Sequence, residues 1–156
     1  MEVPKSNIDS IVEMLSHFYE ERIPFNKILG LRVESLRSDC IRVRFDMQPS
    51  LIGNYVKAIL HGGVISSVLD ATGGLTASFG VLEKLTDTPT DEIEKRIARI
   101  GTIDLRIDYL RPGQGRYFLA TGNIMRAGRR VTVTRMELHN HKDVLIAVGT
   151  GTYVVG

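Results

Sequence analysis

From Ala58 to Leu82 the chain carries one charged residue, Asp70, among apolar and small side chains. The length excludes a single strand, so the pattern predicts a helix from about Gly63 to Gly80. Gly62, Gly63, Ser66, Ser67, Thr72, Gly73 and Gly74 interrupt it too heavily for a bilayer span, so it is expected in the interior of a soluble protein. Ala71, Gly73, Gly74, Ala77 and Ser78 are too small to build ordinary packing ridges. An interior glycine also costs about 1 kcal/mol relative to alanine. A curved sheet approaching the helix closely would explain both.

The flanking sequence supplies that sheet. Leu31 to Arg37 and Cys40 to Met47 read as a hairpin turning at Ser38 and Asp39, with Ile41, Val43 and Phe45 on one buried face. Ile103, Leu105, Ile107 and Tyr109 alternate with Asp104, Arg106 and Asp108, which predicts a half-buried strand. Arg116 to Arg126, Arg130 to His139 and Val144 to Val155 add three more, and the short connections among these four predict an antiparallel meander. Residues 7 to 22 carry Ile8, Ile11, Val12, Leu15, Phe18 and Tyr19 at helical spacing, with Ser6 or Asn7 as N-cap and Pro24 as the stop. Gln48 to Leu60 reads as a loop, and Leu85 to Arg99 as a polar excursion with one short helix near Asp91. Helices gathered on one side of antiparallel strands give an α+β domain of two layers.

With 156 residues there is room for one such domain, and a net charge of +2 is too small for a protein that coats nucleic acid. Cys40 is the single cysteine, which excludes an internal disulfide and a cysteine-rich zinc site and fits a reducing cytoplasm. No phosphate-binding loop, dinucleotide fingerprint, His-Glu-x-x-His or Cys-x-x-Cys is present. Neither a metal nor another cofactor is expected. Ser78 sits inside the predicted helix and is read as packing, not as a nucleophile.

The chemistry concentrates at His61, Gly62, Gly63 and Asp70. Two glycines at a helix start leave backbone N–H groups unshielded where the helix dipole is positive, the outline of an oxyanion site. Asp70 has no Lys or Arg three or four residues away, and a buried carboxylate without a partner must raise its pKa or find hydrogen bonds. Ser66, Ser67 and Thr72 are structural partners within reach along the helix, and His61 has a second reading as a helix cap.

The run from His61 to Asp70, the strand from Thr102 to Pro112 and Gly128 with Arg129 and Arg130 before a strand together resemble the hotdog-fold acyl-CoA thioesterases of the phenylacetyl-CoA thioesterase type. The resemblance covers Leu29 to Val155 and implies a curved antiparallel sheet wrapped around one long helix, with residues 1–28 as an N-terminal helical extension and 29–156 as the hotdog domain. It implies that the Gly62 N–H meets the thioester carbonyl, that His61 orients the loop, and that Asp70 activates water or attacks the carbonyl itself. Thr102 falls where the family has a hydroxyl that places the attacking water. The family's asparagine position holds Tyr55 here, so Asn54, one residue off, takes that role.

Eight residues of helix separate Gly62 from Asp70 by about 12 Å, far more than the roughly 3 Å that joint action on one carbonyl requires. One chain therefore cannot complete the site. Two antiparallel central helices in a symmetric homodimer would, alone or as a dimer of dimers. The expected partners are thus acyl-CoA and a second copy of the chain, with neither nucleic acid nor membrane. Arg126, Arg129 and Arg130 around Gly128 have two readings, a dock for CoA phosphates and a solvated strand edge. The competing function is a non-catalytic acyl-CoA-binding or regulatory module of the same fold, and retention of Asp70 favours the enzyme of fatty-acid metabolism.

Overall fold

Ile41, Val43 and Phe45 are all buried, and the hairpin they predict is present. β1 (Arg32–Arg37) pairs antiparallel with β2 (Cys40–Asp46), with Arg37 opposite Cys40 across the turn. The computed structural model describes residues 7–85 and 88–156. At the N-terminus, α1 (Asn7–His17) continues through one π-helical turn at Phe18–Arg22 and ends at Ile23, which is extended ahead of Pro24. The N-cap expected at Ser6 or Asn7 rests on side chains outside the described residues. Pro24 then opens a second short helix that the periodicity did not reveal, α2 (Pro24–Leu29), which Gly30 closes at a φ of 69°.

The segment expected as a loop holds two short strands, β3 (Ile52–Asn54) and β4 (Ile59–Leu60), paired with each other. They lead into α3 (Gly62–Leu82), two residues longer at its C-terminal end than the sequence pattern predicts. α4 (Thr90–Ile97) occupies the polar excursion, and β5 (Gly101–Tyr109), β6 (Tyr117–Ala127), β7 (Val131–Asn140) and β8 (Leu145–Val154) complete the chain.

The main sheet has the order β1-β2-β6-β7-β8-β5, antiparallel throughout. β6, β7 and β8 form the expected meander, but β5 does not belong to it. It lies at the far edge against β8, and the segment after it returns across the end of the sheet, tied down by bonds from Leu110 and Arg111 N–H to the Ile146 carbonyl and from Leu60 N–H to the Gly113 carbonyl. Pro112 and Gly113 therefore turn a crossing and not a hairpin. A register shift between Thr102 and Asp104 breaks the alternation of β5, so Ile103, expected inward, is 58% exposed.

α3 lies on the concave face and packs against β2, β5, β6, β7 and β8. The close approach inferred from its small residues is realised: a methyl group on Gly122 of β6 would overlap Thr76. Its buried hydroxyls are satisfied within the helix, Thr72, Thr76 and Ser78 each donating to the carbonyl one turn back at 2.7, 2.7 and 2.8 Å. By length and composition α3 would suit a bilayer, yet 67% of its most apolar window is buried inside the fold, as in a core helix. Ile11, Leu15 and Leu29 of the N-terminal helices join Val68, Leu69 and Leu75 in one apolar core, so the extension is packed into the domain it precedes.

Candidate active site

The start of α3 is built by its neighbours on both sides. His61 N–H donates to the Leu51 carbonyl at 2.9 Å, and Gly53 lies so close that a side chain there would strike the His61 backbone. This fixes His61 as the N-cap residue in an extended conformation, and its Nδ1 accepts from Gly63 N–H at 2.8 Å. When the imidazole is neutral that bond puts its proton on Nε2. The cap also corrects one expectation: the Gly63 amide is not open, because the histidine occupies it. Gly62 N–H has no acceptor among the described residues and remains the one free donor of the glycine pair. The Gly62 carbonyl accepts from Tyr109 Oη at 2.9 Å, a contact that ties the helix start to the end of β5.

Asp70 lies two turns further along. Its Oδ1 accepts from Thr102 Oγ1 at 2.9 Å and from Tyr153 Oη at 3.2 Å, and the same tyrosine reaches the Asp70 backbone carbonyl at 3.1 Å. Hydrogen bonds therefore answer the cost of the isolated carboxylate, but not from the expected partners. Ser66 and Ser67 both donate to the Gly63 carbonyl, and Thr72 donates to that of Val68. Oδ2 has no partner among the described residues.

Asp70 borders a cleft of about 220 Å³ lined by Tyr19, Ile23, Phe25, Ala71, Ile100 and Thr102, among others. Burial and the Asp70 charge push both nearby phenols up, Tyr19 to about 12 and Tyr153 further, so both stay protonated as donors near neutral pH. Among the described residues no three of His, Cys, Asp and Glu converge to hold a metal.

Of the residues singled out in the sequence, Thr102 and Asp70 meet, and His61, Gly62 and Gly63 form one cap. The two groups stay apart on an unbroken helix: Gly62 is bonded to Tyr109 at one end of β5 and Asp70 to Thr102 at the other. Asn54 Oδ1 accepts from Lys57 N–H at 3.2 Å and closes its own turn. Arg126, Arg129 and Arg130 are exposed around the β6–β7 turn, and none forms an ion pair among the described residues. Gly128 N–H bonds to the Val131 carbonyl and closes that turn. Tyr153 was missed. Its signal was the run Gly149, Gly151, Tyr153, which puts two glycines and one large side chain on the same face of a strand.

The sequence profile of the thioesterase superfamily matches residues 57–147. The chain is 41% identical over 148 residues to the Escherichia coli (strain K12) medium/long-chain acyl-CoA thioesterase YigI, covering 95% of this chain and 96% of that one. The protein of the same name from Salmonella typhimurium is 42% identical over the same shares. Among solved structures, a Shewanella oneidensis protein related to the thioesterase superfamily matches with a TM-score of 0.90 and 45% identity over 96% of this chain and 97% of that one. A structure from Syntrophus aciditrophicus matches with a TM-score of 0.86 and 42% identity, over 97% and 100%.

Proposed function

Because this chain belongs to the thioesterase superfamily, we propose that it hydrolyses acyl-CoA thioesters to a carboxylic acid and free CoA. The observation that carries the reading is Asp70, held through Oδ1 at the edge of a cleft with a partly apolar wall, and with Oδ2 unengaged among the described residues. Oδ2 takes the proton of a water as the water's oxygen attacks the thioester carbon, or attacks that carbon itself to give a mixed anhydride that a water then hydrolyses, releasing the acid and restoring the carboxylate. The negative charge that develops on the carbonyl oxygen is met by Gly62 N–H and the positive end of α3. The C–S bond then breaks and CoA leaves as the thiolate. His61 keeps the loop in the conformation that aims Gly62 outward. Thr102, which donates its hydroxyl hydrogen to Asp70 Oδ1, offers a water only its lone pairs.

The Escherichia coli and Salmonella typhimurium relatives are named medium/long-chain acyl-CoA thioesterases, and the apolar lining from Ile23, Phe25 and Ile100 suits an acyl chain of that kind. In this reading residues 29–156 are the catalytic domain, and the 1–28 extension contributes Tyr19, Ile23 and Phe25 to the cleft wall. Short, medium, long and aromatic acyl-CoAs assayed side by side with a thiol reagent are expected to release CoA, medium and long chains fastest. Asp70→Asn is expected to lower the rate by about 10²–10⁴-fold. Absence of thiol release from every acyl-CoA would overturn the assignment.

The site is completed by a second copy. β5 is an unpaired edge whose Ile103 and Tyr109 are more than half exposed, and Tyr55 and Val56 ahead of α3 are more exposed still. A two-fold axis passing near Ser66 of α3 would cover this apolar surface and bring Gly62 of each copy toward Asp70 of the other. In this reading the enzyme is a dimer, or a dimer of dimers, in fatty-acid metabolism, and the single cysteine supports a place in a reducing cytoplasm.

The arginine turn lies at the Asp70 end of the sheet, since Val131, Val154 and Gly101 are aligned across β7, β8 and β5. That supports a dock for CoA phosphates. Replacing Arg129 and Arg130 together by alanine is expected to raise KM about tenfold for acyl-CoA. KM for a short thioester mimic without phosphates should stay unchanged, and an equal rise for both substrates would remove the arginines from the CoA site.

A further inference from the structure

We infer that Tyr153 is a positioning residue for hydrolysis: its hydroxyl holds Asp70 in the one orientation that leaves Oδ2 free to react. This rests on Asp70 being the reacting carboxylate. Tyr153 is 1% exposed and sits 83 residues from Asp70 in the chain, yet its Oη reaches both the Asp70 carbonyl at 3.1 Å and Oδ1 at 3.2 Å. One hydroxyl thus grips the main chain and the side chain of the same residue, which fixes the carboxylate relative to the helix that carries it.

The surroundings are shaped for this contact. A methyl group on Gly73 of α3 would overlap the tyrosine hydroxyl, and one on Gly151 of β8 would lie 2.6 Å from it. Both glycines stand inside regular elements, where glycine is unfavourable, and together they open the slot in which the ring lies. Thr102, the second donor to Oδ1, is directly opposite Tyr153 in the β5–β8 register. The two donors therefore come from one row of the sheet. They differ in firmness, since Thr102 is exposed on an edge strand while Tyr153 is enclosed in the interior. The phenol, in the wall of the same cleft but 1% exposed, is the part of the clamp better shielded from water.

The test uses the full-length protein and the best acyl-CoA of the panel. Tyr153→Phe, which keeps the ring and deletes the hydroxyl, is expected to lower kcat about tenfold or more and to leave KM within about twofold. In the Asp70→Asn background the same substitution is expected to have no further effect, because there is no reacting carboxylate left to orient. Wild-type kcat in Tyr153→Phe, beside an inactive Asp70→Asn, would overturn the inference and leave the site reading intact. The same factor of loss in both backgrounds would also overturn it, by showing a general structural role. Full activity in Asp70→Asn would instead sink the reading of the site. Should Tyr153→Phe fail to fold, Gly151→Ala carries the test, since its methyl group would lie 2.6 Å from the tyrosine hydroxyl and push it away from Asp70. In that variant kcat is expected to fall about tenfold or more with KM within about twofold, and wild-type kcat in the folded variant would overturn the inference.

Discussion

Mixing Gly62→Pro protein with Asp70→Asn protein in equal amounts is expected to restore about a quarter of wild-type activity, although each variant alone has lost almost all of it. α3 is continuous from Gly62 to Leu82, so about 12 Å of helix separates the free amide from the carboxylate in one chain. The hydrogen bonds repeat that separation on the sheet, with Tyr109 Oη on Gly62 and Thr102 Oγ1 on Asp70 at opposite ends of β5. A carbonyl group bound by the first and attacked from the second must therefore draw on two chains. In a hybrid dimer, the intact Gly62 of one subunit faces the intact Asp70 of the other at one site, and both substitutions fall on the second site. Random exchange makes about half of the dimers hybrid, each with one working site of two. Hybrids isolated with two affinity tags should reach about half of the wild-type rate. If subunit exchange is demonstrated and no activity returns, the site lies within one chain and the two-fold arrangement is wrong.

What the sequence made legible follows from how local each determinant is. α3 could be read because its burial removes charge from every face, leaving Asp70 conspicuous. The hairpin of β1 and β2 could be read because alternation and turn lie side by side. The position of β5 could not: alternation marks a strand but says nothing of which neighbour it chooses, and the crossing that carries the chain back to β6 is held by distant carbonyls. The same division runs through the site. His61, Gly62 and Asp70 are recognisable from type and spacing and Thr102 only through the family resemblance, whereas the occupation of the Gly63 amide depends on a side-chain rotamer. Asn54, which stays exposed, caps its own turn for a similarly local reason, the nearby Lys57 amide. Tyr153 depends on a contact across about half of the chain, and of the glycines that make room for it only Gly151 leaves a trace nearby in sequence.

Gly62→Pro is expected to lower kcat by about 10²–10³-fold, while Gly62→Ala stays within a few-fold of wild type. The two substitutions separate the amide hydrogen from the absence of a side chain. Proline at the first position of a helix removes an N–H that has no acceptor within the helix, and its φ suits that position. The preceding residue, His61, already has the extended backbone (φ −64°, ψ 137°) that proline demands of its neighbour. A side-chain carbon at Gly62 would meet the Tyr109 ring at 3.5 Å, an ordinary contact, so neither variant should disturb the helix start, and thermal melting should confirm this. Loss of kcat in the proline variant alone then isolates one hydrogen bond to the developing oxyanion, worth about 3 kcal/mol in the transition state. If both variants fall equally while remaining folded, access to the helix start matters and not the donor. If the proline variant keeps its activity, the charge on the carbonyl oxygen is met somewhere other than Gly62.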